Sequence, residues 1–266
     1  MGATPLDALK LRRRTLGRTA LELGVISFGA FKIGRNTQTK YAQSYTLPDD
    51  ATVRALLDQL QRSGANLIDT APAYGSSEDR LGALLTPHDA MFVSTKVGES
   101  FEDGISTYNF SPEAVRTSIH ASLTRLRRPQ LDLVFIHSDG NDTHILEHDR
   151  ALETLAELKA QGVIRHLGFS GKTVDGNRQA LRSGLVDALM IEFHPLDDSH
   201  RRVIQEAHDA GIGVLVKKPL ASGRIAPEVA IPFCLSERGV TSLIIGTNSR
   251  ENFATNCRLA STARDA

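Results

Sequence analysis

The chain alternates short apolar runs with longer segments in which apolar residues recur at helical spacing. Short apolar runs bounded by turn residues are typical of buried strands. We predict eight strands from these runs: GVISFG (24–29), NLIDT (66–70), MFVSTK (91–96), LDLVFIH (131–137), HLGFS (166–170), DALMIEF (187–193), IGVLVKK (212–218) and TSLIIG (241–246).

The segments between these runs predict amphipathic helices. Residues 49–64 place several apolar side chains on one face, and residues 111–127 do the same after Ser111, which suits the N-cap position. Two later helices, at 150–162 and 198–211, each close on a glycine that suits a C-cap. A strand is therefore followed by a helix through most of the chain.

This alternation predicts an α/β protein with parallel strands and crossover helices. Eight such units without a Pro/Gly/Ser linker favour a closed (β/α)8 TIM barrel over an open sheet, and such barrels take ~250 residues. No GxGxxG motif follows the first strand, which weakens a Rossmann interpretation. We expect one domain over 1–266, with a core of about 13–260.

Composition narrows the function classes. The 266 residues carry a formal net charge of +0, so neither a nucleic-acid surface nor a polybasic membrane patch is expected. The two cysteines, Cys234 and Cys257, lack metal-binding spacing. No apolar stretch has the length of a signal peptide core or a membrane span. We expect a cytoplasmic protein that is a monomer or a weak homo-oligomer.

Chemically capable side chains end three consecutive strands. Catalytic groups of such barrels sit at the C-terminal strand ends, where this chain has Asp69, Lys96 and His137, with Tyr74 in the loop after Asp69. Taken singly, each strand-end residue has an ordinary structural interpretation. Asp69 could cap a helix, Lys96 could be a solvated rim charge, and His137 could be a hydrogen-bonded core residue. Lys96, however, follows a strongly apolar strand, and a buried ammonium needs a partner, for which Asp69 is the natural choice.

These four residues suit proton donation to a carbonyl. A tyrosine has an unperturbed pKa of ~10, and a neighbouring ammonium lowers that pKa. Asp69 would keep Lys96 charged, and His137 can donate a hydrogen bond to a carbonyl oxygen. The set could protonate an alkoxide as it forms. The hydride that completes a carbonyl reduction must come from a nicotinamide cofactor, since no side chain supplies one.

The sequence resembles the aldo-keto reductase family from about residue 13 to residue 260. The matching text is NLIDTAPAYGSSEDRLGALL (66–85), VSTKVG (93–98), LDLVFIHSD (131–139), VIRHLGFS (163–170) and the opening RRTLGRTALELGVISFGAF (13–31). The resemblance implies a barrel with an N-terminal β-hairpin and NADP(H) extended across its C-terminal mouth. It also implies Tyr74 as general acid, tuned by Lys96 and Asp69, with His137 orienting the substrate carbonyl.

The resemblance implies cofactor residues as well. Ser170 matches the serine that touches the nicotinamide carboxamide, and KKPLASGRI (217–225) is similar to the pyrophosphate loop. IIGTNSRENFATN (244–256) resembles the adenosine site, with Arg250 the candidate for a 2′-phosphate. The implied cofactor-binding residues are Ser170, Lys217, Lys218, Leu220, Gly223, Gly246, Thr247, Asn248, Ser249, Arg250 and Asn256.

The chain departs from the family pattern at three cofactor positions. Met190 stands where the family commonly has a glutamine that binds the carboxamide, and Lys217 stands where many members stack an aromatic ring on the nicotinamide. Asn252 aligns with the arginine that the family usually has in the last helix. We expect NADP(H) to be preferred, with NAD(H) as an open alternative.

The predicted function is an NADP(H)-dependent oxidoreductase that reduces aldehydes or ketones. Three alternatives stay open. A metal hydrolase could use the cluster His137, Asp139, Asp142, His144 and His148. A lyase could form a Schiff base on Lys96, although Asp69 should raise the pKa of that amine. A cofactor-binding regulatory subunit could keep the four residues with little turnover.

Specificity in such barrels comes from loops at the mouth. Here these loops are 33–50, 97–110 and 138–150. The first is long for a connection in a compact domain and carries Lys40, Tyr41 and Tyr45, so it could be a cofactor lid or a partner surface.

Overall fold

Eight parallel strands close into a barrel in the computed structural model, which describes residues 10–39, 44–86 and 88–263. Going round, the barrel strands are β3 (Ile26–Gly29), β4 (Leu67–Asp69), β5 (Phe92–Val97), β8 (Leu131–His137), β9 (Ile164–Ser170), β10 (Ala188–Glu192), β11 (Gly213–Lys217) and β12 (Val240–Ile245). Strand β12 pairs with β3 and closes the ring. The predicted (β/α)8 barrel and its eight strands are confirmed.

Helices lie between the barrel strands and cover their outer faces. They are α1 (Phe31–Gly34), α2 (Asp50–Ser63), α3 (Ser77–Leu84), α4 (Pro112–Leu126), α5 (Asp142–His148), α6 (Ala151–Ala160), α7 (Val174–Arg182), α8 (Arg201–Asp209), α9 (Pro227–Leu235) and α10 (Arg250–Thr262). Local signals set their ends. Ser111 Oγ accepts a hydrogen bond from the Ala114 N–H at the start of α4, and Gly64 ends α2 with a left-handed φ of 83°.

A hairpin of β1 (Arg13–Thr15) and β2 (Glu22–Gly24) precedes the barrel, as the family resemblance implies. Leu16 and Leu23 of this hairpin are fully buried and join the cluster that fills the barrel interior. A Cβ on Gly213, the first residue of β11, would lie 2.3 Å from Leu16 Cδ1. The hairpin therefore closes the N-terminal end of the barrel, and the chemically capable strand ends lie at the opposite end.

The mouth loop at 97–110 contains a β-hairpin. Its strands are β6 (Glu99–Glu102) and β7 (Ile105–Tyr108). Asp103 and Gly104 join them with φ values of 49° and 82°. Two consecutive positive φ angles define the tight hairpin turn for which Asp-Gly is the strongest short sequence signal. The Asp-Gly pair in the sequence could therefore have predicted this hairpin.

Each of the other two mouth segments overlaps a helix. Helix α1 begins just after β3, and α5 lies within 138–150. In the first segment, the Tyr45 hydroxyl donates a hydrogen bond to the Arg35 carbonyl. Lys40 and Tyr41 fall outside the described residues, so their predicted role stays a prediction.

Over the described ranges, none of the helices has the length and apolar character needed to cross a membrane. Cys234 and Cys257 are both buried thiols.

Candidate active site

Asp69 and Lys96 form a buried ion pair at the C-terminal end of the barrel. Lys96 Nζ donates hydrogen bonds to Asp69 Oδ1 at 2.8 Å, to Asp69 Oδ2 at 2.7 Å and to the Thr70 carbonyl at 2.8 Å. Both residues are almost fully buried, at 2% and 1% exposure. Ser94 Oγ donates a further bond to Asp69 Oδ1. This is the contact that the sequence predicts between neighbouring strands.

The pair keeps Lys96 charged. Burial is the largest influence and would lower the pKa of Lys96, but Asp69 and Tyr74 together outweigh burial, and the net pKa is raised. An ammonium held this tightly by a carboxylate is a poor nucleophile, which argues against the Schiff-base alternative at Lys96.

Tyr74 lies beside this pair at the end of a 3₁₀ turn, Pro72–Tyr74. The next residue, Gly75, has a φ of 60°, and a Cβ there would lie 2.3 Å from the Gly34 carbonyl oxygen. Arg35 Nη1 donates a bond to the Ala73 carbonyl. Lys96 Nζ lies 4.6 Å from the centroid of the Tyr74 ring. The Tyr-Gly pair thus places the ring against the ammonium through backbone geometry that only glycine tolerates.

The expected effect on the pKa of Tyr74 is wrong in sign. Lys96 does act to lower it, but burial of the phenol acts more strongly, and together they raise the pKa of Tyr74 to about 12. The sequence could not reveal this because the depth of the ring in the mouth depends on the turn and on neighbouring strands. Tyr74 is therefore protonated at neutral pH.

His137 ends β8 and faces Tyr74, with their ring centroids 6.3 Å apart and nearly perpendicular. Its Nδ1 atom is buried and lies 2.8 Å from Glu99 Oε2, off the line of an ideal hydrogen bond. Ser106 Oγ donates to the same Glu99 carboxylate at 2.7 Å. Sequence reasoning missed Glu99, because its approach to His137 depends on the β6–β7 hairpin.

Ser170 and Lys217 meet across the other side of the mouth. Lys217 Nζ donates hydrogen bonds to Ser170 Oγ at 2.9 Å and to the Gly171 carbonyl at 2.8 Å. Burial, with help from the neighbouring charge of Lys218, lowers the pKa of Lys217 to about 7. Met190 is buried in the cluster that fills the barrel interior. The weakly basic amine at this mouth is therefore Lys217, not Lys96.

The loop after β11 contains two consecutive residues with left-handed backbone. Leu220 is near the right-handed helical region, and Ala221 and Ser222 follow with φ values of 48° and 59°. The N–H groups of Ala221 and Gly223 are used within the loop, because they donate to the carbonyls of Lys218 and Leu220 at 2.8 Å each. Gly223 has a φ of 93°, and a Cβ added there would have no other atom within 4 Å. Lys218 in the same loop contacts Glu192.

The start of α10 is a region suited to phosphate. Gly246, Thr247 and Asn248 follow β12, and Ser249 caps the helix by accepting a bond from the Asn252 N–H. Arg250 is exposed, and its Nε donates to Gln59 Oε1 of α2 at 3.1 Å. Asn256, further along the same helix, is 4% exposed. Helix N-termini favour anions, so this geometry fits the predicted adenosine site.

The cluster considered for a metal hydrolase does not assemble. Asp142 is buried and accepts bonds from the N–H groups of Lys172 and Thr173, while His144 and His148 stack on each other along α5. Within 10–39, 44–86 and 88–263, no three His, Cys, Asp or Glu side chains form a group that could hold a metal ion.

Comparisons with known proteins agree with this geometry. A solved structure from Pseudomonas aeruginosa, assigned to the aldo-keto reductases, superposes with a TM-score of 0.90 and 38% identity, covering 98% of this chain and 99% of that one. L-galactose dehydrogenase from Arabidopsis thaliana is 30% identical over 82% of this chain and 68% of its own length. The NADH-specific methylglyoxal reductase from Escherichia coli is 29% identical over 80% and 68%.

The match to curated relatives is partial, while the match to the family is broad. This chain spans between 41% and 68% of the length of the first curated relatives. The sequence profile described as the Aldo/keto reductase family matches residues 25–228. Those residues include β4, β5 and β8 with their four clustered side chains. The chain belongs to the aldo/keto reductase family.

Proposed function

We propose that this protein is a nicotinamide-dependent oxidoreductase that reduces aldehyde or ketone carbonyls to alcohols. The observation that carries the proposal is the phenol of Tyr74 held 4.6 Å, ring centroid to Nζ, from the buried Lys96–Asp69 pair. A protonated phenol beside a fixed ammonium can give up its proton and leave the resulting phenolate stabilised. Family membership adds that relatives include a methylglyoxal reductase and sugar dehydrogenases.

Each residue of the site has a distinct task in this proposal. Tyr74 donates its proton to the oxygen of the carbonyl as that oxygen gains negative charge. Lys96 stabilises the phenolate that remains, and Asp69 keeps Lys96 charged and oriented. His137 lines the same pocket and contacts the substrate. Because the pKa of Tyr74 is raised to about 12, the proton donor is present over the whole physiological pH range.

The residues of the mouth fit a nicotinamide dinucleotide. Ser170 and Lys217 would hold the nicotinamide end, the loop with Lys218, Leu220 and Gly223 would hold the pyrophosphate, and the start of α10 would hold the adenosine. When bound, this cofactor supplies the hydride that no side chain can supply. The departures at Met190 and Lys217 concern the proposed contacts with the nicotinamide end of the cofactor.

NADP(H) is the proposed preference, with NAD(H) as the alternative. Arg250 supplies a cation at the start of α10, where a 2′-phosphate would meet the helix N-terminus. The name of the Escherichia coli relative, which specifies NADH, keeps NAD(H) open. We propose a cytoplasmic enzyme that acts on small aldehydes or ketones as a monomer or weak homo-oligomer.

Cofactor binding and turnover test this proposal. The chain contains no tryptophan, so binding is best followed through the fluorescence of NADPH and NADH themselves. We expect saturable NADPH binding and oxidation of NADPH by a panel of aldehydes that includes 4-nitrobenzaldehyde. Cofactor binding without oxidation by any aldehyde or ketone would contradict the proposal and favour the regulatory-subunit alternative.

A further inference from the structure

Lys217 lies across the barrel mouth from the proton donor. In the order of strands round the barrel, β10 stands opposite β4, the strand that leads to Tyr74, and Lys217 ends β11, a neighbour of β10. Lys217 Nζ donates hydrogen bonds to Ser170 Oγ at 2.9 Å and to the Gly171 carbonyl at 2.8 Å, at the end of β9. The amine is therefore held across the width of β10, on the wall opposite Tyr74.

The charge of Lys217 acts on groups on the other side of the mouth. Burial has the largest effect on the pKa of His137 and lowers it, and the charges of Lys96 and Lys217 lower it further. Burial, the charge of Lys218 and the charge of Lys96 together lower the pKa of Lys217 itself to about 7. A second positive charge placed in the mouth would therefore also interact with Lys217.

The nicotinamide of the proposed cofactor would bring such a charge. Hydride transfer requires the ring to lie against the carbonyl carbon, and the carbonyl oxygen is at Tyr74. Because Tyr74, Lys96 and His137 form one side of the mouth, the ring takes the side that Ser170 and Lys217 form. The oxidised ring is a cation and the reduced ring is neutral, whereas the phosphates and the adenosine are the same in both forms.

We propose that Lys217 makes the site select the reduced form of the cofactor, because its ammonium repels the oxidised nicotinamide and leaves the neutral ring unaffected. The bonds to Ser170 and to the Gly171 carbonyl hold the amine in place for this task. Weaker binding of the oxidised form would speed its release and favour carbonyl reduction over alcohol oxidation. The inference rests on the proposed function, which supplies the cofactor.

The selection should depend on pH through Lys217. The groups that face it are Lys218, Glu192 on β10, Asp142 on α5, Lys96 on β5, His137 on β8 and His200 at the start of α8. Burial lowers the pKa of both histidines, so neither adds a charge above pH 6.5. Burial would raise the pKa of Glu192, but contacts led by Lys218 lower it, so Glu192 stays ionised. The charge that changes on this wall between pH 6.5 and 9 is that of Lys217.

Affinity for the two forms of the cofactor tests this proposal without turnover. Isothermal titration calorimetry gives the Kd of NADP⁺ and the Kd of NADPH, and their ratio cancels the contributions of the phosphates and the adenosine. Lys217→Met removes the charge and keeps an unbranched side chain. At pH 6.5 we expect the ratio of the NADP⁺ Kd to the NADPH Kd to fall by about tenfold in this variant, the effect of one like charge in a partly buried site.

Two further variants control this measurement. Lys217→Arg stays charged at every pH and should keep a high ratio at pH 9, where the unmodified protein should approach Lys217→Met. Lys159→Met removes a lysine that pairs with Asp187, just before β10 at the opposite end of the barrel, and should leave the ratio unchanged. An equal ratio in the unmodified protein and Lys217→Met at pH 6.5 would overturn the proposal, as would a low ratio at pH 9 in Lys217→Arg.

The outcomes separate this inference from the proposed function. NAD⁺ and NADH differ by the same ring charge, so that pair replaces NADP⁺ and NADPH if the site prefers it. Binding with a ratio that Lys217→Met leaves unchanged would overturn the role of Lys217 alone. A ratio that depends on Lys217 without reduction of any aldehyde or ketone would support the inference and contradict the proposed function. No binding of either cofactor pair would overturn both.

Discussion

The two sides of the barrel mouth are built in different ways. The proton side, formed by Asp69, Tyr74, Lys96 and His137 on β4, β5, β8 and the turn after β4, is a buried network centred on one ion pair. The proposed cofactor side, formed by Ser170, Lys217, Lys218 and the start of α10, ranges from the buried Ser170 to the exposed Lys218, and burial lowers the pKa of Lys217 to about 7. By the resemblance of the sequence, the proton side has the residues expected of the family, whereas the cofactor side has Lys217 where an aromatic ring is expected.

Physical chemistry explains why the departures fall on the cofactor side. Removing either partner of the buried pair would leave an uncompensated charge, which is among the most destabilising changes available to a folded protein. Backbone amides and partly exposed side chains bind phosphate in many arrangements, so single substitutions there are tolerated. The proton side should therefore respond to mutation with large effects, and the cofactor side with small ones.

The largest effect on catalysis is expected for Tyr74→Phe. Loss of the phenolic hydroxyl removes the proton donor and should reduce kcat by about 10²–10⁴-fold. The ring still packs beside Lys96, so NADPH affinity, measured by cofactor fluorescence, should stay nearly unchanged. Retained turnover in this variant would remove Tyr74 from the proton-donor role.

A comparable effect on stability is expected for Lys96→Met. The variant leaves the Asp69 carboxylate buried and unpaired, and the free energy of unfolding in urea should fall by about 3–5 kcal/mol. A matched control is Lys159→Met, which breaks the more exposed ion pair with Asp187 and should cost at most about 1 kcal/mol. Equal losses in the two variants would show that the proton side is not built around its ion pair.

Lys217→Met should change how stability depends on pH. Below about pH 7, Lys217 is charged in both the folded and the unfolded chain, and the folded state bears the full cost of that charge. From about pH 7 to ~10.4, the unfolded chain binds the proton and the folded chain does not, so the cost fades as pH rises. The melting temperature of Lys217→Met should exceed that of the unmodified protein most at low pH.

Lys218→Met provides the control for the pH range, or window, over which the cost of the Lys217 charge fades. The charge of Lys218 helps to lower the pKa of Lys217, so its removal should move the window to higher pH. A difference in melting temperature between Lys217→Met and the unmodified protein that is constant from pH 6 to 9.5 would refute the lowered pKa.

The smallest effect is expected for Arg250→Ala. Arg250 is exposed and bonded to Gln59, so its loss should weaken NADPH binding only severalfold, and NADH binding less. Arg258→Ala, on the same helix and bonded to Thr255, is the matched control and should alter neither affinity. An equal effect of Arg250→Ala on both cofactors would rule out contact with a 2′-phosphate.

Features that depend on periodicity and strand ends could be predicted from sequence. Each of the eight strands and the convergence of Asp69, Lys96 and His137 on one end follow from apolar runs and the parallel barrel geometry. What could not be predicted depends on three-dimensional placement. Burial of Tyr74 decides the direction of its pKa shift, and the reach of Glu99 to His137 depends on how the β6–β7 hairpin folds back over the mouth.

The Ser170–Lys217 contact is another feature that could not be predicted from the sequence. The family resemblance places Lys217 at a stacking position, but only the structure brings its amine to the Ser170 hydroxyl across the mouth. The two residues lie on β9 and β11, which are separated by β10 in the barrel. No periodicity or motif relates them.

Isotope transfer in a single turnover tests the central claim most directly. NADPH deuterated at the reactive C4 position is mixed with enzyme and an aldehyde in ordinary water, and the product is analysed by mass spectrometry and NMR. The account predicts one deuterium on the former carbonyl carbon, formed much more slowly in Tyr74→Phe. Product without deuterium on that carbon, or transfer at an unchanged rate in Tyr74→Phe, would contradict it.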